Sequence, residues 1–251
     1  MGPKDADETS KAYHVFSSPC SFFPVNQSAN RTIETLTMHL FGYWVLLGAF
    51  ALSVISGFWA LRLSWRDRDQ GLIWLERAQR GVGLLVLAAS LILLVALARR
   101  DFSFIYVADY TDSLLPWYYA LSAFWAGQTG SFLFWALMIS GCGLFWAARP
   151  GYADMPPRTK TFFWTFFFAV QGFFLFMLTT VSNPFIQISP APAEGNGLNP
   201  LLQHPGMIFH PPLLFIGYAG FTIPACAALA SGLTETHQAW LQRIRNWFLG
   251  S

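Results

Sequence analysis

The charges of this chain sit in clusters, and between them lie five uncharged runs: 35–61, 81–98, 113–148, 161–193 and 195–234. A helix needs about 20 apolar residues to cross the hydrocarbon of a bilayer, and each run can hold one, the second only just. The pattern predicts spanning helices near 40–61, 80–98, 127–147, 162–181 and 212–232. A large soluble helical core is the alternative, but it needs far more charged surface. Only 11% of the residues are charged and 54% are hydrophobic, where a soluble domain carries roughly a quarter charged. The expected fold is therefore all-α, a polytopic membrane bundle of about five transmembrane helices.

Basic residues orient the bundle. Arg62, Arg66, Arg68, Arg77, Arg80, Arg149, Arg158, Lys160, Arg243 and Arg245 fall on one side, against Arg99 and Arg100 on the other, the N-terminal tail aside. By the positive-inside rule the first helix starts outside, and loops 99–126 and 182–211 face outward with His204 and His210. The last three runs are 36, 33 and 40 residues long, so each exceeds a single span. Their surplus falls on the outer side and is rich in aromatic residues, proline and glycine, as in Leu114-Leu115-Pro116-Trp117-Tyr118-Tyr119 and Asn183-Pro184-Phe185. Such segments either lie on the membrane surface or floor an apolar pocket.

Residues 1–37 differ from the rest. Met1 to Asn30 is polar and proline-punctuated, with no apolar core long enough for a signal peptide. Met38 stands directly before the first apolar run and reads as the natural start. The expected division is a polar extension over 1–37, disordered or not native, and a transmembrane domain over 38–251. The three cysteines, Cys20, Cys142 and Cys226, form no CxxC; the last two fall inside predicted helices and read as small apolar packing residues.

The chemistry concentrates in Leu198-Asn199-Pro200-Leu201-Leu202-Gln203-His204-Pro205-Gly206-Met207-Ile208-Phe209-His210-Pro211-Pro212. Pro211 and Pro212 lack a backbone N–H and suit the first turn of a helix, where that donor has no partner anyway. Pro211 also biases His210 toward an extended conformation, so His210 is expected as the N-cap at the outer mouth of the fifth helix. Two readings stand side by side: an imidazole ligand to haem among aromatic residues, or a hydrogen-bonded interface histidine. His204 lies six residues earlier, off the same helical face, and reads as support for His210 or as ordinary surface. His14, His39 and His237 receive no role.

Other segments read as packing. Trp125-Ala126-Gly127-Gln128-Thr129-Gly130-Ser131 opens the third helix, with glycines for close approach or Thr129 and Ser131 as caps. Ala49, Ser53 and Gly57 form a small-residue face on the first helix. The phenylalanines of the fourth helix read as lipid and core contact, and Pro224 as a kink in the fifth. Apart from Arg80 at the edge of the second, the predicted spans contain no Asp, Glu, Lys or Arg, which weighs against ion-coupled transport. Nothing resembles a phosphate loop, a Ser/His/Asp set or a nucleic-acid surface.

The blocks Phe104-Ile105-Tyr106-Val107-Ala108, Leu115-Pro116-Trp117-Tyr118, Trp125 to Trp135, Ser182-Asn183-Pro184-Phe185 and Leu198 to Phe221 resemble the cytochrome c assembly protein family, in particular the haem lyase branch of the cytochrome c maturation system. The resemblance runs in order from Met38 to the end. It implies a part in a complex of the bacterial inner membrane that holds periplasmic haem for covalent attachment to the CxxCH cysteines of apocytochrome c. His210 matches the first of two outer histidines thought to ligate that haem b, and Trp117, Trp125 and Phe209 become candidate pocket walls. The implied partners are a periplasmic haem chaperone, apocytochrome c, other maturation subunits or a complementary C-terminal half, and the lipid bilayer, with no nucleic acid. The family's tryptophan-rich motif of the form WGxxWxWD, its second outer histidine and its two membrane histidines are not in this sequence. Thr129 stands where the family commonly has glutamate. The chain thus resembles the first third of such a protein, a truncated or naturally split one. The second axial ligand is expected from elsewhere, and a haem site would not be completed by this chain alone. A membrane haem or small-solute transporter, and an assembly subunit with no ligand of its own, remain the alternatives.

Overall fold

The computed structural model describes residues 25–66, 71–234, 241, 242, 244, 245 and 247, with side chains of the first helix from Thr37. The expectations for residues 1–24, including His14 and Cys20, and for His237 lie outside the described residues. In chain order the helices are α1 (Val25–Arg66), α2 (Leu72–Arg99), α3 (Ile105–Tyr110), α4 (Trp117–Ser122), α5 (Gln128–Ala147), α6 (Pro150–Ala153), α7 (Pro157–Thr180) and α8 (Gly206–Leu233). Short 3-10 turns cover Ala123–Trp125 and Pro200–Leu202. Among the described residues there is no strand, only one isolated bridge between Phe104 and Gln187. Five helices, α1 (from Thr37), α2, α5, α7 and α8, are long and apolar enough to cross a membrane. The all-α polytopic bundle read from the sequence is what forms.

The helices outrun the uncharged stretches that announced them. α2 begins at Leu72 and takes in Glu76, Arg77 and Arg80; α7 begins at Pro157 and takes in Arg158 and Lys160. An uncharged run measures the hydrocarbon crossing, whereas the helix continues through the headgroup layer, where long charged side chains reach water. α1 likewise extends upstream of Met38 to Val25.

α7 packs against α1, α2, α5 and α8, and these four close around it through the α1–α2, α2–α5 and α5–α8 pairs. Its buried face consists largely of rings: Phe163, Trp164, Phe167, Phe168 and Phe174, with Leu175 and Leu178. The small side chains of neighbouring helices make room for this bulk. Gly143 of α5 lies under the Phe167 ring, and a Cβ at Gly57 of α1 would come within 3.3 Å of Phe168 Cβ. Ser53 of α1 donates to the Phe168 carbonyl at 3.2 Å. The small-residue face Ala49–Ser53–Gly57 is thus the α1–α7 seam, and the phenylalanines are mainly core.

Two amide side chains buried among the spans find partners for their N–H groups within the bundle. Gln171 of α7 donates to the Ser140 hydroxyl at 2.6 Å, and Gln79 of α2 donates to the Ser140 carbonyl at 3.4 Å, tying α2, α5 and α7 together. In a medium without water such bonds have no solvent competitor.

Successive spans run antiparallel, so the loops sort to two ends. At one end Tyr152 donates to Glu76 at 2.7 Å and accepts from the Trp164 indole at 2.8 Å, and Thr159 pairs with Thr234. Burial and the Glu76 hydrogen bond hold the Tyr152 phenol above its ordinary range. At the other end, segments 100–127 and 181–205 interleave into a platform. Ile105 N–H donates to the Ile186 carbonyl at 3.0 Å, Ile188 N–H to Ser103 at 2.8 Å, and Asn196 N–H to Ala108 at 2.7 Å. Arg100, in the left-handed conformation at φ 53°, ends α2, and its guanidinium reaches the Leu115 carbonyl at 2.5 Å. These are the two loops that the charge pattern sends to one side.

Candidate functional site at the platform end of α8

α8 starts earlier than its prolines predict. Pro205 is the N-cap residue, and the ring of His204 accepts from Gly206 N–H at 3.0 Å, so His204 works as a local helix cap. His210 is therefore not the N-cap; it lies in the second turn, and Pro211 and Pro212 are inside the helix. The expectation failed because it assumed that a proline within a helix leaves a carbonyl with no donor. Here one arrives from another element: Trp125 Nε1 donates to the Met207 carbonyl at 2.8 Å, the carbonyl that residue 211 would otherwise have served.

At 100° per residue, His210, Leu213, Leu214, Gly217 and Phe221 share one face of α8. Leu213 and Phe221 are 67% and 63% exposed, and beyond the adjoining residues and backbone of α8 itself no described atom lies within 4 Å of a Cβ built at Gly217. The buried residues Ala219, Ile223, Cys226, Ala227 and Ala230 lie on the opposite face, against α5 and α7. His210 thus points away from the bundle.

The other candidates distribute around it. Phe209 is its neighbour and 67% exposed. Trp117, 70% exposed, is on α4, which packs against α8; its ring contacts Tyr118. Trp125 is half-buried, its ring against Phe134 at 5.5 Å and Phe124 at 6.5 Å. The described residues contain no group of three His, Cys, Asp or Glu side chains able to hold a metal ion. What they offer a metalloporphyrin is one imidazole on an open apolar face, which fits half of an axial pair.

The loop carrying Trp125 is fixed from below. The Tyr106 hydroxyl of α3 donates to the Ala123 carbonyl at 2.8 Å and accepts from Gly127 N–H at 3.1 Å. Burial holds that phenol above its ordinary range. The Ser131 hydroxyl donates to the Trp125 carbonyl at 2.8 Å. Gly127 is the N-cap of α5, without a side-chain cap, and the Tyr110 ring occupies the space a Cβ would need. Close approach, then, explains these glycines. Thr129 and Ser131 do not cap the helix.

Sequence reasoning passed over His39. Its ring is buried near the platform end of α1 and stacks on Phe104 at 3.6 Å. Nδ1 faces the Phe185 carbonyl at 3.2 Å and Nε2 the Ser103 hydroxyl at 3.0 Å, which itself donates to Asp101 at 2.6 Å. One side chain ties α1 to both platform loops. No local pattern announces this, since every partner is far along the chain.

A five-span bundle with a folded platform at one end and a histidine on an uncovered helix face defines a multi-pass membrane protein presenting one imidazole beside that platform. Comparison with known proteins narrows the class. Residues 125–248 match the family model for the cytochrome c assembly protein. The cytochrome c-type biogenesis protein CcmF of Pseudomonas aeruginosa is 36% identical over 217 residues, 83% of this chain and 32% of that protein. The probable cytochrome c-type biogenesis protein NrfE of Escherichia coli is 42% identical over 162 residues, 64% of this chain and 29% of that one. A solved structure of the cytochrome c haem lyase CcmF superposes with a TM-score of 0.71 at 26% identity, over 84% of this chain and 33% of its own. The chain belongs to the cytochrome c assembly protein family, in its CcmF-type branch. It spans about a third of the length of these relatives.

Proposed function

We propose that this chain is part of a membrane complex that holds haem, as substrate, for covalent attachment to apocytochrome c. His210 supplies one axial ligand. Phe209 and Trp117 flank the porphyrin, and the second ligand comes from outside the described bundle, from a complementary segment or subunit. The observation that carries this reading is the placement of His210 on the face of α8 opposite its packed face. A histidine serving only the fold would turn inward or be held by a neighbour.

In this reading the reactive chemistry belongs to haem and the cysteine thiols of apocytochrome c. The chain contributes binding, orientation and an apolar surface along Leu213, Gly217 and Phe221. The proposed setting is the bacterial inner membrane with His210 on the periplasmic side, supported by the basic residues gathered at the opposite end. A periplasmic haem chaperone and the other maturation subunits are the proposed partners.

The test uses the full chain in nanodiscs with haem, and free imidazole as the second ligand. The wild type is expected to give a bis-imidazole Soret spectrum, and His210→Ala to lose at least ten-fold in haem retention, about 1.4 kcal/mol or more. An unchanged spectrum in His210→Ala overturns the ligand role. Haem accumulating inside vesicles without apocytochrome c would favour a transporter instead.

A further inference from the structure

We infer that Trp125 is a positioning residue for His210, fixing the second turn of α8 through the carbonyl that Pro211 leaves without its helical donor. In an α-helix the N–H of residue i serves the carbonyl of residue i−4, and proline has none to give. Two prolines of α8 have a tryptophan at the vacated carbonyl. Trp125 donates to Met207, four residues before Pro211, at 2.8 Å. Trp247 donates to Gly220, four residues before Pro224, at 3.1 Å. The same substitution of an indole N–H for a missing amide occurs at both places, so the pairing is a principle of how this helix is held.

The consequence for His210 is geometric. Met207 and Pro211 lie on the flank of α8 between its packed face and its open face. An indole fastened there sets both the rotation of the helix about its axis and its height along it. Trp125 itself does not drift: Ser131 bonds its carbonyl, Phe134 packs against its ring, and Tyr106 holds the preceding turn. A continuous set of contacts thus runs from α3 through Trp125 to the turn that bears His210. Trp125 then acts through the helix, with its one donor already committed to Met207. This deepens the haem-ligand reading and rests on it for its functional consequence, though not for the hydrogen bond.

The experiment is a double-mutant cycle in the full chain with Trp125→Phe and Pro211→Ala. Phenylalanine keeps the ring and removes the donor; alanine restores the amide that serves Met207. Two readouts are taken: amide hydrogen exchange of residues 206–210 without haem, and the haem spectrum with imidazole present. Trp125→Phe is expected to speed exchange and weaken haem retention about five-fold, the equivalent of one hydrogen bond of roughly 1 kcal/mol. On the Pro211→Ala background the same change is expected to fall below two-fold. Equal losses on both backgrounds would make Trp125 a simple wall and overturn the inference, as would no loss on either. If exchange follows the expected pattern while the wild type takes up no haem, the positioning stands and the haem reading fails.

Discussion

α7 and α8 are neighbours of similar length and apolarity, yet the bundle treats them differently. α7 touches all four other spans and is fixed by buried rings. α8 packs on one face, leaves the other open, and contains three prolines. At two of these a tryptophan from another element supplies the missing donor. A helix in the middle is defined by volume. A helix at the margin, with one face kept available, needs directional bonds to fix its rotation.

The sharpest way to break that contrast is to make one deletion in both helices. Leu178→Ala in α7, at a fully buried position, is expected to destabilise the protein by about 2–5 kcal/mol. Leu213→Ala on the open face of α8 should cost under about 0.5 kcal/mol. Chemical unfolding in one detergent measures both, and equal losses would mean that the open face is packed.

His39→Ala tests the platform's hold on α1 and should cost roughly 2 kcal/mol, because the Ser103 hydroxyl and the Phe185 carbonyl lose a buried partner. The expected signature is faster hydrogen exchange at Ile105 and Ile188, with the α5–α7 seam unmoved.

A smaller effect depends on pH. Hydrogen bonds from the Ser113 hydroxyl, and from its amide at 2.7 Å, hold the Glu194 carboxyl below the usual carboxylate range. Its folded value is depressed, so the link between the two platform loops is complete above the ordinary value of 4.5 and is lost as pH falls through the lower one. Exchange at Ser113 should accelerate in that acid window, and Glu194→Gln should remove the dependence on pH.

Much of this was legible in the sequence because it is one-dimensional. Five charge-free runs mark five crossings, and the skew of basic residues sorts the loops to two ends. His210 was legible as a candidate because it is a histidine beside two prolines in an apolar segment. The start of α8 was not. Whether Pro211 can sit inside a helix depends on Trp125, 86 residues upstream, and no local rule includes that donor. His39 shows the same limit: it stands at the edge of the first apolar run, and only the packed platform gives it partners.

His39 also imposes an order on biosynthesis. Its two partners, Ser103 and Phe185, lie 64 and 146 residues downstream. At about 5–20 residues per second, His39 is made roughly 7–30 s before Phe185. Through that interval the histidine must be served by water or lipid headgroups at the surface. α1 is thus locked only after the ribosome has translated past the end of α7, the fourth of these spans.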